Sequence, residues 1–166
     1  MPPSTTDAAV DAYIGLGANL GDPARALTEA LEALARLPDT TLQARSSIYR
    51  TAPIESSGPD YLNAVARLRT TLSPGALLAQ LQAIEQQHGR ERPYRNAPRT
   101  LDLDLLLYGD AVIDEPGLSV PHPRAHLRAF VLRPLAEISP ALRIPGCGPV
   151  KALLDGVVDQ QIDKLP

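Results

Sequence analysis

The stretch Ala97-Pro98-Arg99-Thr100-Leu101-Asp102-Leu103-Asp104-Leu105-Leu106-Leu107-Tyr108 constrains the chain more than any other. From Leu101 to Leu105 apolar and polar residues alternate, which is the period of a strand. Leu101, Leu103 and Leu105 therefore share one face, and Asp102 and Asp104 share the other. Carboxylates two positions apart on a strand stand about 6–7 Å from each other. They repel unless a cation lies between them, and they are poor strand formers. The pattern predicts a half-buried strand whose polar face binds a hard cation. Mg²⁺ suits it, because one or two carboxylates hold that ion while substrate phosphates complete its shell. A solvated edge strand carries the same Asp-x-Asp, so the pattern alone leaves both open. Arg90, Arg92, Arg95 and Arg99 precede the carboxylates. Guanidiniums beside a metal-binding carboxylate pair suit a polyphosphate, which the two together neutralise.

The 166 residues set the prior at one domain, 1–166, large enough for its own core. A net charge of −3 gives no general nucleic-acid or membrane surface. Cys147 is the single cysteine, which excludes an intrachain disulfide and a cysteine zinc site and fits a reducing cytoplasm. No apolar run approaches the ~20 residues that span a membrane, and no basic-then-apolar start marks a signal peptide. The expectation is a cytoplasmic monomer that binds small molecules.

Residues 1–7 are rich in Pro, Ser and Thr and are expected to fray. Residues 8–17 read as a first strand, followed by a glycine turn at Gly21 and a helix over 23–37. Asp22 is its N-cap and Pro23 its first residue. Leu27, Leu31 and Leu34 form its apolar stripe, and Pro38 stops it. The glycine spacing misses a dinucleotide fingerprint, because Leu20 stands where G-x-G-x-x-G needs glycine. Residues 41–51 read as a second strand and 61–71 as a third. Tyr61 and Asn63 share a face of the third strand, a ring beside an amide that can stack on and hydrogen-bond a flat heterocycle. A tyrosine packing on its neighbours explains the same pair. Ser73-Pro74 opens a second helix striped by Leu77, Leu81 and Ile84, with Gly89 as its stop. His122 and His126 are four apart, but Pro121 and Pro123 argue against a helical zinc pair. Residues 130–138 are apolar and expected to pack on the sheet. The tail from Gln160 is polar and expected to be loose.

The order strand, helix, strand, strand, helix, strand suits an α+β fold. It predicts a ferredoxin-like antiparallel sheet with helices on one face and added C-terminal elements. The other face is then expected to be free and to carry Tyr61, Asn63, Asp102 and Asp104.

Five segments, in this order, resemble the 6-hydroxymethyl-7,8-dihydropterin pyrophosphokinases of folate biosynthesis. They are Tyr13-Ile14-Gly15-Leu16-Gly17-Ala18-Asn19-Leu20-Gly21, Ser47-Ile48-Tyr49-Arg50-Thr51-Ala52-Pro53, Pro59-Asp60-Tyr61-Leu62-Asn63-Ala64, Pro98-Arg99-Thr100-Leu101-Asp102-Leu103-Asp104 and Val120-Pro121-His122-Pro123-Arg124. The resemblance implies transfer of pyrophosphate from ATP to the pterin hydroxymethyl oxygen, with release of AMP. It implies two Mg²⁺ ions held by Asp102 and Asp104. It matches Gly17, Asn19, Thr51, Ala52, Pro53, Ile54, Tyr61, Asn63 and Phe130 to pterin-binding positions. Gln82, Glu85, Arg92, Arg99, Leu105, Ser119, His122 and Arg128 match ATP-side positions, and Arg90 and Arg92 match loop arginines that assist transfer. The family often has a tryptophan in this loop, where Asn96 stands here, and Gly117 falls where some members have arginine. Residues 90–97 hold arginines and few large apolar side chains, and are expected to close over bound substrates.

Two other classes fit parts of the pattern. A Mg²⁺-dependent nucleotidyl transferase on a ferredoxin-like sheet would release pyrophosphate and favour a basic track. A non-catalytic binding domain would leave Asp102, Asp104 and the arginines unexplained.

Overall fold

The structure, a computed structural model, describes residues 5–19, 21–52, 60–89 and 101–166. The elements run β1 (Thr5–Ala18), α1 (Pro23–Ala35), β2 (Thr40–Arg45), β3 (Tyr49–Thr51), β4 (Tyr61–Leu72), α2 (Pro74–Gly89) and β5 (Asp102–Tyr108). A hairpin of β6 (Ile113–Glu115) and β7 (Leu118–Val120) follows, then a 3-10 turn (Ala125–Leu127) and α3 (Ala129–Ile138). The chain ends with β8 (Arg143–Ile144), β9 (Gly148–Pro149), α4 (Val150–Leu153), a second 3-10 turn (Leu154–Val157) and β10 (Asp163–Lys164).

Local chemistry sets the helix starts. Asp22 Oδ1 accepts from the Arg25 backbone N–H at 3.2 Å, with Pro23 next in the chain. Ser73 Oγ accepts from Ala76 N at 3.2 Å, ahead of Pro74. Each side chain satisfies a helix N–H that has no intrahelical partner. The long strands lie in the order β2-β4-β1-β5 and pair antiparallel, the ferredoxin-like arrangement. The second predicted strand is broken in two. β2 pairs with the later half of β4 and β3 with its first residues. At the break Ser46 N donates to Val65 O at 2.9 Å, and Ser46 Oγ accepts from Val65 N at 2.9 Å. One hydroxyl thereby replaces a ladder acceptor and keeps the edge continuous.

Both predicted helix stripes are buried against one face of the sheet. Leu27, Leu31, Leu34, Leu77, Leu81 and Ile84 meet Ile14, Leu16, Ala66, Leu68, Leu103 and Leu105 there. A buried leucine contributes about 1.5–3 kcal/mol relative to exposure, so Leu81→Ala should cost roughly 2–5 kcal/mol. The other face is not free, contrary to expectation. Val131, Leu132 and Leu135 of α3 pack with Tyr13, Val65, Leu106 and Leu107 and cover part of it. The run Leu105-Leu106-Leu107-Tyr108 explains how. Ile14 pairs with Leu105 but Tyr13 with Leu107, so Leu106 is an extra residue in a bulge. The bulge turns Leu106 and Leu107 toward α3 and returns Tyr108 to the α1–α2 side.

The polar tail is not loose either. Gln160 Oε1 accepts from Ala129 N at 2.8 Å, and its Nε2 donates to Leu127 O at 2.9 Å. β10 then pairs with β3, and Leu165 N donates to Ile48 O at 2.9 Å. At the other end Thr5 already pairs with Leu72, so β1 begins inside the segment expected to fray.

Candidate active site

β1 is the central strand of the site. On one side Gly17 pairs with Asn63 of β4, and on the other Gly17 and Gly15 pair with Asp102 and Asp104 of β5. The two glycines lie within the strand, two residues apart, so they leave a side-chain-free track along the same face as the carboxylates. A cavity of about 380 Å³ opens over this track. Thr51 and Ala52 from the β3 end, Tyr61, Asn63 and Ala64 from β4, and Arg128, Phe130 and Val131 around the α3 start wall it. Gly15, Leu16, Gly17, Asp102, Asp104 and Leu106 complete it.

Buried Asn63 is fixed by a hydrogen bond, Nδ2 donating to Thr51 Oγ1 at 2.9 Å. That bond uses one amide N–H; the amide has another N–H and a carbonyl. Tyr61 and Phe130 reach the cavity from different layers, one from the sheet and one from the helix above it. Arg128 stands 5.3 Å from the centroid of the Phe130 ring, a cation–π contact that ties the charge to the aromatic wall.

Asp102 is half-buried and Asp104 exposed, on the face opposite buried Leu101, Leu103 and Leu105. The start of β5 is anchored from α2, where Glu85 Oε2 accepts from Leu103 N at 2.9 Å. His122 lies within electrostatic range of Asp104. Its backbone N–H donates to Leu106 O at 2.9 Å, and its ring Nδ1 accepts from Arg124 N at 3.2 Å. A neutral ring that accepts at Nδ1 carries its proton on Nε2. Burial holds the His122 pKa below its ordinary value against the pull of Asp104, and Arg128 and Arg124 add to the lowering.

Among the described residues no three His, Cys, Asp or Glu side chains gather to hold a metal. The donor set is the two carboxylates, hard oxygens facing a glycine track that a Cβ would narrow. A Cβ at Gly17 would stand 3.3 Å from Asn63 Oδ1. Such a pair fits Mg²⁺, which keeps water and takes phosphate oxygens for the rest of its shell.

The cavity thus joins Gly17, Thr51, Ala52, Tyr61, Asn63, Phe130, Asp102 and Asp104, the predicted heterocycle and metal residues, and also Arg128. Asn19 lies just beyond β1, half-buried. Other predicted ATP-side residues do not line it. Gln82 is exposed on α2, and Ser119 is exposed on β7 opposite Asp114. The side chain of Leu105 is buried in the α1–α2 core, which counts against a side-chain contact with nucleotide. Pro53, Ile54, Arg90, Arg92 and Arg99, with the loop expected to close, lie outside the described residues. Sequence reasoning missed Gly15, Leu16, Ala64, Leu106 and Val131. Gly15 and Leu106 had a signal: Gly15 shares the strand parity of Gly17, and Leu106 that of Asp102 and Asp104.

The family model of 7,8-dihydro-6-hydroxymethylpterin-pyrophosphokinase matches residues 13–140. This chain belongs to that family. It is 45% identical over 155 residues to the 2-amino-4-hydroxy-6-hydroxymethyldihydropteridine pyrophosphokinase of Pseudomonas aeruginosa, covering 93% of this chain and 96% of that one. The enzyme of the same name from Haemophilus influenzae is 43% identical over 157 residues, covering 94% and 98%. Among solved structures, Plasmodium falciparum HPPK-DHPS wild type with SDX-DHP superposes at a TM-score of 0.73 and 14% identity, over 91% of this chain. This chain spans 45% of that longer one, and the likeness shows the shared fold. No described helix is long and apolar enough to cross a membrane.

Proposed function

We propose that this chain transfers pyrophosphate from ATP to the hydroxymethyl oxygen of 6-hydroxymethyl-7,8-dihydropterin, with Mg²⁺ and with release of AMP, as a step of folate biosynthesis. One observation carries the proposal: a single cavity brings two aromatic walls and a fixed amide beside a carboxylate pair. Family membership supports the same chemistry.

Tyr61 and Phe130 would hold the flat pterin between them, burying its faces. Asn63 would offer its amide to the ring edge, kept in place by Thr51. This orientation directs the hydroxymethyl group toward the carboxylate side of the cavity. ATP would lie with its phosphates over Asp102 and Asp104, and Arg128 would add positive charge near the transferred group. The neutral His122, with its proton on Nε2, is a hydrogen-bond donor on the same side. Two Mg²⁺ ions bound by Asp102 and Asp104 would supply Lewis-acid neutralisation of the phosphates.

The hydroxymethyl oxygen forms a bond to the β-phosphorus, the bond from the β-phosphorus to the α-phosphate oxygen breaks, AMP leaves and the hydroxyl proton is released. No covalent nucleophile is required of the protein, because positioning and electrostatics supply most of phosphoryl-type catalysis. Arg90 and Arg92, which the resemblance implies assist transfer, would act in the same electrostatic way.

Chromatography of the products tests the proposal. With ATP, the pterin and Mg²⁺, AMP and the pterin diphosphate should form in equal amounts, and a chelator should stop both. ADP as the nucleotide product would overturn it.

A further inference from the structure

The cavity walls belong to two pieces with no backbone ladder between them. Thr51, Ala52, Tyr61 and Asn63 belong to the β3–β4 edge, while Phe130 and Val131 belong to α3. Apolar packing presses α3 onto the sheet through Val65, Leu106 and Leu107. Burial of that kind is non-directional and does not by itself fix how far a helix has slid.

Polar ties at the far end of α3 do fix it. Glu137 Oε1 accepts from Tyr49 OH at 2.6 Å, and Oε2 accepts from Ser47 Oγ at 2.8 Å. Ser47 N is 3.1 Å from both oxygens, and Lys164 Nζ of β10 is 4.0 Å from Oε2. On the other side, Arg67 Nη1 of β4 donates to Ile138 O at 3.2 Å and to Ser139 Oγ at 2.9 Å. The helix is clamped from both flanks, and one carboxylate collects the β2–β3 break, β3 and the tail.

The spacing connects this clamp to the cavity. Glu137 lies seven residues after Phe130, two helical turns along the same stripe of α3, about 10 Å away. Tyr49 lies two residues before Thr51, on the same face of β3. The Glu137–Tyr49 bond and the gap between Phe130 and Thr51 are therefore two rungs between one helix face and one strand face. The first rung sets the width of the second.

From this geometry we infer that Glu137 is a positioning residue for heterocycle binding, acting through Tyr49 and Ser47 to hold α3 at a fixed spacing from β3. The inference rests on the cavity being the pterin slot. Nothing in it requires Glu137 to touch substrate or the reacting atoms. The carboxylate accepts from three donors, Tyr49 OH, Ser47 Oγ and Ser47 N, and faces the Lys164 ammonium, which explains why an acidic residue sits where α3 meets β3.

The test compares Glu137→Ala, Glu137→Gln, Tyr61→Ala and Leu31→Ala by steady-state kinetics, well below the lowest Tm. Leu31 lies in the α1 core on the opposite face and serves as a control for lost stability alone. Glu137→Ala should raise KM for the pterin about tenfold and leave KM for ATP within about twofold. Glu137→Gln keeps an acceptor for Tyr49 and should recover roughly half of that loss on a logarithmic scale. Leu31→Ala should lower Tm and leave both KM values in place. Pterin KM unchanged in Glu137→Ala, while Tyr61→Ala raises it, would overturn the inference and spare the slot. Equal rises for both substrates would also overturn it, as general damage. If Tyr61→Ala leaves pterin KM unchanged, the slot itself is wrong and the inference falls with it. Should Glu137→Ala fail to fold, Glu137→Gln decides: about threefold on pterin KM alone supports positioning, and no change refutes it.

Discussion

Gly17 pairs with Asp102 across the β1–β5 ladder, so no side chain on the central strand stands beside that carboxylate. On its other flank Gly17 pairs with Asn63, and a Cβ there would lie 3.3 Å from Asn63 Oδ1. Asn63 has little freedom to yield, because Nδ2 is bonded to Thr51. Gly17→Ala should therefore weaken pterin binding roughly tenfold, the effect of about 1.4 kcal/mol. Its backbone is ordinary strand, so Tm should barely move. Calorimetry with the pterin, beside a melting curve, checks both halves. A large drop in Tm with unchanged affinity would mean the glycine serves packing alone.

Asp102→Asn and Asp104→Asn should each cost several kcal/mol of transition-state stabilisation, the order of a lost metal clamp. The fold should survive, since removing one of two like charges relieves repulsion. Leu101, Leu103 and Leu105, which anchor the strand, are untouched. Near-normal kcat/KM in either variant at saturating Mg²⁺ would refute the metal role.

Tyr61→Ala and Phe130→Ala should weaken pterin binding and leave ATP binding nearly intact. Each removes one aromatic wall, worth about 0.5–1.5 kcal/mol in ring contact beyond the lost burial. Phe130 also carries the Arg128 cation–π contact, so its variant should show the larger secondary effect on turnover. Titration with each ligand separately distinguishes a pocket defect from unfolding, which would weaken both.

The carboxylate pair was legible because strand alternation is local: Asp102 and Asp104 share a face whatever the strand pairs with. The helix starts were legible for the same reason, since Asp22 and Ser73 act within three residues. What pairing decides was not. Gly15 and Gly17 line up with Asp104 and Asp102 only once the β1–β5 register is known, and the bulge at Leu106 shifts that register. The two-residue strand β10 has no apolar pattern; backbone bonds to β3 hold it, and these leave no mark on residue type. Residues 130–138 were legibly apolar, but nothing local says that they cover the face beside the site. The roles of Glu137 and Glu85 depend on partners far away in sequence. Neither Glu137, the lone acid in an apolar run, nor Glu85, among polar neighbours, carries a local sign of its partner.

Tyr49 gives the fold a distinct response to alkali. Its side chain is 3% exposed, and its hydroxyl donates to Glu137 at 2.6 Å. Burial raises its pKa above the ordinary value of 10.0, and the hydrogen bond and charge of Glu137 raise it further against the opposing Arg133. Glu137 stays ionised meanwhile. Burial pushes its carboxyl up, but the bonds from Tyr49 and Ser47, with Lys164 nearby, outweigh that and leave it below its ordinary value. Above pH 10 the unfolded chain loses the Tyr49 proton while the folded chain keeps it. The folded state then binds more protons, so stability must fall as pH rises. The contribution is complete below about pH 10 and shrinks by about 1.4 kcal/mol per pH unit above it. Tyr49→Phe removes the titrating group but keeps the ring in place. Urea unfolding of both proteins from pH 9 upward isolates the effect, because all other groups cancel in the difference. The wild type should lose its advantage over Tyr49→Phe steadily above pH 10. Parallel curves would mean that the phenol is not held by Glu137 in solution, and the clamp on α3 would lose its shortest bond.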